Sequence, residues 1–321
     1  MATNGNGTES TMRILVIGGT GFLGAKLCRG LRGAGAEVVA ADLPGSENVR
    51  NVTADGIAFR GLDIRDRDAV RTLFATVKPD RVVNLAYVTG QSLQDDRALA
   101  GAVNLMGQIH CMDAAVEQGV GRYIYSSSIA TYGPDQQYYG NRDIEETDGC
   151  PLDRHSLIYG AMKAYNEFAA ERYRLEHGLE VCGIRLSVIF GPGRLHGYTA
   201  WTSAMISHPM RGETIHVPLA EDQRINLISV DDAARLLSLV TGAERISHTI
   251  VNSGGHGLAA GEVAETVRSL EPSARFAFAA APTPPLFVDR VSGKRAEAEF
   301  GFRPTPFHDD LATQFHAAES A

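Results

Sequence analysis

From Met12 onward, short apolar runs alternate with stretches in which apolar residues recur every three or four positions. Residues 13–19, 37–42, 81–86, 122–127 and 181–186 are runs of the first kind, of the length expected for buried strands. Residues 22–33, 67–77, 99–118 and 157–177 carry helical spacing. Strands alternating with helices predict a parallel sheet with helices on both faces, a doubly wound α/β fold. After Gly191-Pro192-Gly193 the rhythm loosens. A helix over 199–211, short strands, a helix from Asp231, a Pro-rich turn over 281–285 and helices over 295–300 and 309–317 are expected there. This last third is too irregular to form a core alone. It reads as a smaller lobe packed on the C-terminal edges of the strands, where open parallel sheets bind ligands.

Composition adds limits. Of 321 residues, 44 % are hydrophobic and 21 % charged, the balance of a globular protein with a sizeable core. The net charge of −8 and the absence of a Lys/Arg run speak against a nucleic-acid partner. No apolar run approaches the length of a membrane span, about 18 residues or more. The four cysteines form no C-x-x-C pair, so buried free thiols and a cytoplasmic location are expected. The ten histidines lack metal-ligand spacing, so no metal is assigned. Residues 1–11, rich in Gly, Asn and Thr, lack the apolar stretch of a signal peptide and read as a disordered tail.

The first turn of the pattern carries candidate chemistry. Gly18, Gly21 and Gly24 lie between the first strand and the first helix in G-x-x-G-x-x-G order. Glycines there permit a tight turn and close approach of the backbone to a pyrophosphate. The helix N-terminus then offers unpaired N–H groups and a positive dipole end. Asp42 ends the second strand, about 20 residues on, where a carboxylate accepts hydrogen bonds from ribose hydroxyls and repels a 2′-phosphate. This predicts NAD rather than NADP on a Rossmann-type domain over 12–190. Residues 191–321 are left mainly as a substrate-binding lobe, some of whose segments return to the first domain. Asp63 and Ile64 follow the third apolar segment and are candidates for the adenine end, although an acid there could instead cap the next helix.

Tyr159 and Lys163 stand four apart in a helical stretch, on one face. A lysine beside a phenol favours the phenolate, and a phenol so tuned trades a proton with an alcohol while hydride leaves the carbon. The spacing alone is common. Here, though, the preceding strand ends in Ser126-Ser127-Ser128, whose hydroxyls could hold the same substrate oxygen.

Together these segments resemble the extended short-chain dehydrogenases, grouped as NAD-dependent epimerases and dehydratases. The resemblance runs from Arg13 to about Leu311. It rests on Gly18–Gly24, Asp42, Asp63-Ile64, Asn84-Leu85-Ala86, Asn104, Ser126–Gly133, Tyr159 with Lys163, Arg185–Pro192 and Ile228–Ala233. It implies that Tyr159 is the acid/base, that Lys163 holds the ribose and tunes Tyr159, and that Ser128, four before Tyr132, binds the reacting oxygen. Phe22 and Leu23 fall within the glycine turn. Leu85, Ala86, Ser126, Leu186 and Ser187 would line the nicotinamide side, and Asn104 would brace the cofactor-side helix. The two long helices imply a homodimer.

Nucleotide-sugar members read R-Y-F-N-V-Y-G-P after the catalytic helix. This chain has Val188 at the Asn position, and Arg224 one residue out of register with the later Arg. Residues 193–236 are instead similar to sugar-acid dehydrogenases such as erythronate dehydrogenases, through Pro192-Gly193-Arg194, Pro209–Glu213, Val217-Pro218 and Arg224. A weaker likeness covers Val88-Thr89-Gly90. Arg194 and Arg224 are candidate anion-binding residues. Thr89 and Trp201 are candidate pocket residues, as are His196 and Tyr198 in the loop before Trp201. The expected activity is NAD-dependent hydride transfer at a secondary alcohol or ketone of a small sugar or sugar acid. The alternative is a nucleotide-sugar epimerase or dehydratase with tightly bound NAD.

Overall fold

A computed structural model describes residues 11–194 and 199–319. Residues 1–10 of the expected tail, His196 and Tyr198 lie outside the described residues. The first unit runs β1 (Arg13–Ile17), α1 (Phe22–Gly33), β2 (Glu37–Asp42), α2 (Arg50–Thr53), β3 (Ala58–Gly61), α3 (Arg67–Val77) and β4 (Arg81–Asn84). It continues through α4 (Gly90–Asp95), α5 (Arg97–Gly101), α6 (Gln108–Glu117), β5 (Arg122–Ser128), α7 (Ile158–His177) and β6 (Val181–Leu186). Then come β7 (Val188–Phe190), α8 (Trp201–Ser207), β8 (Thr214–Val217), β9 (Arg224–Ser229), α9 (Val230–Gly242), β10 (Ile250–Asn252), β11 (His256–Ala259), α10 (Ala260–Leu270), β12 (Arg275–Phe278), α11 (Lys294–Phe300) and α12 (Phe307–Glu319).

Seven strands form a parallel sheet in the order β3-β2-β1-β4-β5-β6-β10. The order reverses at β1, the switch point where doubly wound sheets bind ligands. Ile14 to Ile17 are buried, as a strand covered on both faces requires. One layer of core, including Leu27, Cys28 and Leu31 of α1, lies on one side; the other packs Val70, Leu73 and Phe74 of α3 against Met112 and Tyr123. Ile17 is level with both Ala41 and Asn84, so the loops after β1 and β4 emerge side by side. β5 continues past Tyr125, paired with β6 as far as Ser128 and Leu186.

At Ser187 the chain leaves this sheet. β7 joins a three-stranded sheet, β11-β9-β7, and β12 pairs with β8. Their core gathers Phe190, Trp201, Met205, Ile206, Leu227, Val263, Leu311 and Phe315. Two later segments lie on the large sheet: β10 is its edge strand and α9 packs on α1.

The helix expected over 99–118 is interrupted by a π-turn, Ala102–Gly107. Its cause is local. A Cβ at Gly107 would lie 2.6 Å from Ile64 Cδ1, and the Asn104 carbonyl is taken by Asn166 Nδ2 from α7 at 2.9 Å. π-turns gather where a side-chain partner compensates the displaced backbone bond. The helix expected over 199–211 ends at Ser207, followed by a 3₁₀ turn at Pro209–Arg211. The strand expected over 81–86 stops at Asn84, which frees Leu85, Tyr87 and Thr89 to line a cleft.

Candidate active site

Gly18 adopts φ +76°, and a Cβ there would lie 2.8 Å from the backbone N of Ala86. At Gly24 a Cβ would lie 2.1 Å from the Gly18 carbonyl oxygen. The turn therefore closes against α1 and against the loop after β4 only with these glycines. Gly21 caps α1 without a side-chain bond, leaving the helix's first N–H groups for a ligand. Thr20 Oγ1 donates to Asp42 Oδ2 at 2.6 Å, and Thr20 N to the same oxygen at 3.2 Å, which holds the carboxylate at the mouth of the turn.

Gly18, Gly21, Phe22, Leu23 and Gly24 line one end of a cleft of about 330 Å³. Its walls continue through Leu85, Tyr87, Thr89, Ser126, Ser128, Tyr159, Lys163, Leu186, Ser187, Val188 and Arg194. The cleft thus runs from the glycine turn to the Tyr159/Lys163 pair.

The period of two in β5 separates the three serines. All three border the cleft, but Ser127 turns its hydroxyl away to donate to Glu167 Oε1 at 2.5 Å, while the Ser126 hydroxyl meets Lys163 and the Ser128 hydroxyl meets Tyr159. Ser128 Oγ also accepts from Ala130 N at 3.1 Å, which fixes its rotamer. Glu167 is paired with Arg185 at 2.7 Å, both nearly buried, and Arg185 donates to the Tyr132 hydroxyl at 2.6 Å. This network ties β5, β6 and α7 into one frame beneath the site.

Lys163 Nζ donates to the Ser126 carbonyl at 2.5 Å and approaches Ser126 Oγ at 3.3 Å. The expected close partnership with Tyr159 has a third member. Nζ lies 3.5 Å from the Tyr87 ring centroid and 5.7 Å from that of Tyr159. The two rings meet edge to face, 5.5 Å apart at 85°. Burial lowers the Lys163 pKa to about 7, opposed by the charge of Glu167. Burial raises the Tyr159 phenol, while a hydrogen bond with Ser128 and the charge of Arg194 pull it back. An alcohol placed here would meet a hydroxyl, a phenol and two cations.

Other expected residues fall elsewhere. Asn104 lies in the π-turn, its carbonyl accepting from Asn166 of α7. Its amide clamps the loop after β4, accepting from Val88 N at 2.7 Å and donating to Val88 O at 3.0 Å, because the π-turn points it there. The Asp63 carboxylate is held by Arg65 at 2.5 Å, and the cap of α3 is Asp66; Ile64 is buried against Gly107. None of Asn104, Asp63 and Ile64 is among the residues lining the cleft. Ser187 spends its hydroxyl on the Gly254 carbonyl at 2.5 Å.

Arg224 and Trp201 do not join Arg194 in the cleft. They line an adjoining cavity of about 610 Å³, which meets the cleft at Thr199 and Phe287. Trp201 is buried in the lobe's core, and Arg224 is ion-paired with Asp289 at 3.2 Å and Glu262 at 3.5 Å. Sequence reasoning passed over Tyr87 and Phe287. Both sit in loops, where no periodicity marks an inward side chain.

The profile of the NAD dependent epimerase/dehydratase family matches residues 14–254. The chain belongs to this family. As a family member it is an enzyme, and NAD is its cofactor. UDP-glucose 4-epimerase of Rhizobium meliloti is 33 % identical over 177 residues, 52 % of this chain and 48 % of that protein. This family member spans about half the length of several curated relatives it matches. The structure of Thermus thermophilus UDP-glucose 4-epimerase in complex with NAD superposes with a TM-score of 0.84 at 26 % identity, covering 97 % of this chain and all of that one. L-Threonine 3-dehydrogenase of Trypanosoma brucei has the same fold, with a TM-score of 0.83 at 20 % identity over 96 % of this chain and 98 % of its own. Among the described residues no helix is long and apolar enough to cross a membrane, and no group of acidic, His or Cys side chains has metal-site geometry.

Proposed function

We propose that the protein is an NAD-dependent oxidoreductase that moves a hydride at a secondary alcohol or ketone of a small sugar or sugar acid. One observation carries this reading over its relatives' chemistry: the distribution of cations. Arg194 lines the catalytic cleft with its charge felt by Tyr159. The adjoining cavity, where a larger substituent would extend, is lined by Asp135, Asp289 and Arg224, and Arg224 is already paired with two acids. A compact acid finds a cation beside the reacting centre. A diphosphate extending outward meets an arginine already engaged by Asp289 and an Asp135 carboxylate paired with Arg154.

Gly18, Gly21, Phe22, Leu23 and Gly24 would hold the pyrophosphate and Asp42 the adenine ribose. Leu85, Ala86, Ser126, Leu186 and Ser187 would border the nicotinamide, which supplies the hydride acceptor when bound. Ser128 holds the substrate oxygen, and Tyr159 takes its proton as the carbon is oxidised. Lys163 stands beside that proton path, its ammonium opposed by burial and supported by the charge of Glu167. Residues 12–190, with β10 and α9, act as the cofactor unit and the rest mainly as the substrate lobe.

A second reading, a nucleotide-sugar epimerase with retained NAD, is favoured by the 26 % identity to a UDP-glucose 4-epimerase along the whole chain. Against it stands Val188, which lines the cleft with no amide to offer. α7 exposes Tyr165, Phe168 and Leu175 on one face, and a second copy covering that face would make a homodimer. The free thiols Cys28, Cys111 and Cys182 are buried and suit a reducing cytoplasm. NADH release from NAD with small hydroxy acids, set against UDP- and TDP-sugars, tests the reading.

A further inference from the structure

Tyr87 lines the cleft, and neither the motifs nor the mechanism above uses it. It follows β4 in the loop that Asn104 clamps at Val88, so its ring is carried on braced backbone. Its face receives the Lys163 ammonium at 3.5 Å, and its ring meets that of Tyr159 edge to face. Its own hydroxyl oxygen is buried with no hydrogen-bond partner among the described residues. The residue therefore contributes its ring to the pair and spends nothing on holding its hydroxyl.

We propose that Tyr87 is a positioning residue for the proton relay: its π face retains the ammonium of Lys163 beside Tyr159, and its edge fixes the plane of the Tyr159 ring. The proposal rests on the reading of Tyr159 as acid/base. A cation over an aromatic face is favoured most where water is excluded. Lys163 is buried, and burial alone works against its charge. The other groups facing it are few. On β5 the Ser126 carbonyl and hydroxyl accept from it; on α7 Glu167 stands one turn on, already shared with Arg185 and Ser127; across the cleft Arg194 acts on Tyr159. Asn104 and Asn166 are neutral. Beside the charge of Glu167 and the Ser126 carbonyl, the Tyr87 ring is a further support of the ammonium, and a Lys163 discharged by its loss no longer favours the Tyr159 phenolate.

The test is a difference titration of phenolate absorbance in the near ultraviolet on the full chain, without and with NAD. In each background, parent or Tyr87 variant, subtracting the curve of the same protein carrying Tyr159→Phe isolates the Tyr159 step. Tyr87→Phe keeps the π face and should leave that midpoint within a few tenths of a unit. Tyr87→Leu removes the face and should move it up by about one unit, the scale of a lost cation contact. Tyr87→Met, unbranched and without a π face, replaces Tyr87→Leu if that variant melts early. Equal midpoints in the parent, Tyr87→Phe and Tyr87→Leu would overturn the proposal. So would a shift in Tyr87→Phe as large as in Tyr87→Leu, which would assign the effect to the hydroxyl. Failure of the underlying reading looks different: the Tyr159 step is present, but Tyr159→Phe retains turnover.

Discussion

Thr20 is hydrogen-bonded to Asp42 through both its hydroxyl, at 2.6 Å, and its backbone N–H. The second strand's terminal acid is thereby fixed at the glycine turn, facing the place where the ribose of a dinucleotide would lie. A 2′-phosphate brought there would meet a fixed carboxylate. Asp42→Ala should weaken NAD far more than NADP, and the ratio of the two dissociation constants reads it. A parent protein that prefers NADP would contradict the assignment.

Tyr159→Phe keeps the ring and its contact with Tyr87 while removing the exchangeable proton. Turnover should fall by roughly 10²–10⁴-fold, the usual size of a lost acid/base, with NAD affinity little changed. Oxidation needs the phenolate, which burial disfavours and Ser128 and Arg194 restore. The parent's oxidation rate should therefore rise with pH across the alkaline range, and the residual rate of Tyr159→Phe should not.

Lys163 carries a stability signature. Its pKa is lowered from 10.5 in the free side chain to about 7 in the fold. Between these values the unfolded chain holds the proton more fully than the cofactor-free fold does, so this group makes stability rise with pH across that window. Below about pH 7 both states are charged and the cost of the buried cation is fully present. Lys163→Met should then melt higher relative to the parent at pH 6 than at pH 10, while losing activity. A melting difference that stays flat from pH 6 to 10 would show the buried ammonium to be without cost.

The two arginines should behave differently. Arg194 lines the cleft; Arg224 is half-exposed and already ion-paired in the next cavity. Arg194→Ala should raise KM for an acidic substrate by about 10–100-fold, the worth of a charged hydrogen bond, and much less for its uncharged analogue. Arg224→Ala should change either by less than about threefold, as for an exposed pair. Equal effects from both would place the anion between the cavities.

The fold was legible because its strands are buried on both faces and its helices on one, so β2, β6, α1 and α3 lie where the pattern puts them. The Gly18–Gly24 turn, Tyr159 and Lys163 were legible because fixed spacing between them is what the chemistry needs. Ser128 could be told from Ser127 once the strand's alternation was known. Tyr87, Phe287 and the roles of Arg224 and Trp201 were not, since loop direction follows from tertiary contacts such as the Asn104 clamp on Val88. The π-turn was hidden for a related reason: it depends on Ile64 and Asn166, distant in sequence.

The most direct measurement is NADH formation by the purified protein given NAD and a panel of small hydroxy acids, free sugars and nucleotide sugars, with thermal shifts recorded on the same panel. Small hydroxy acids or free sugars should yield NADH continuously and raise the melting temperature in the presence of NAD, and UDP- and TDP-sugars should do neither. Stabilisation by a nucleotide sugar, with no net NADH and with NAD retained through purification, would contradict the oxidoreductase reading and put the epimerase in its place.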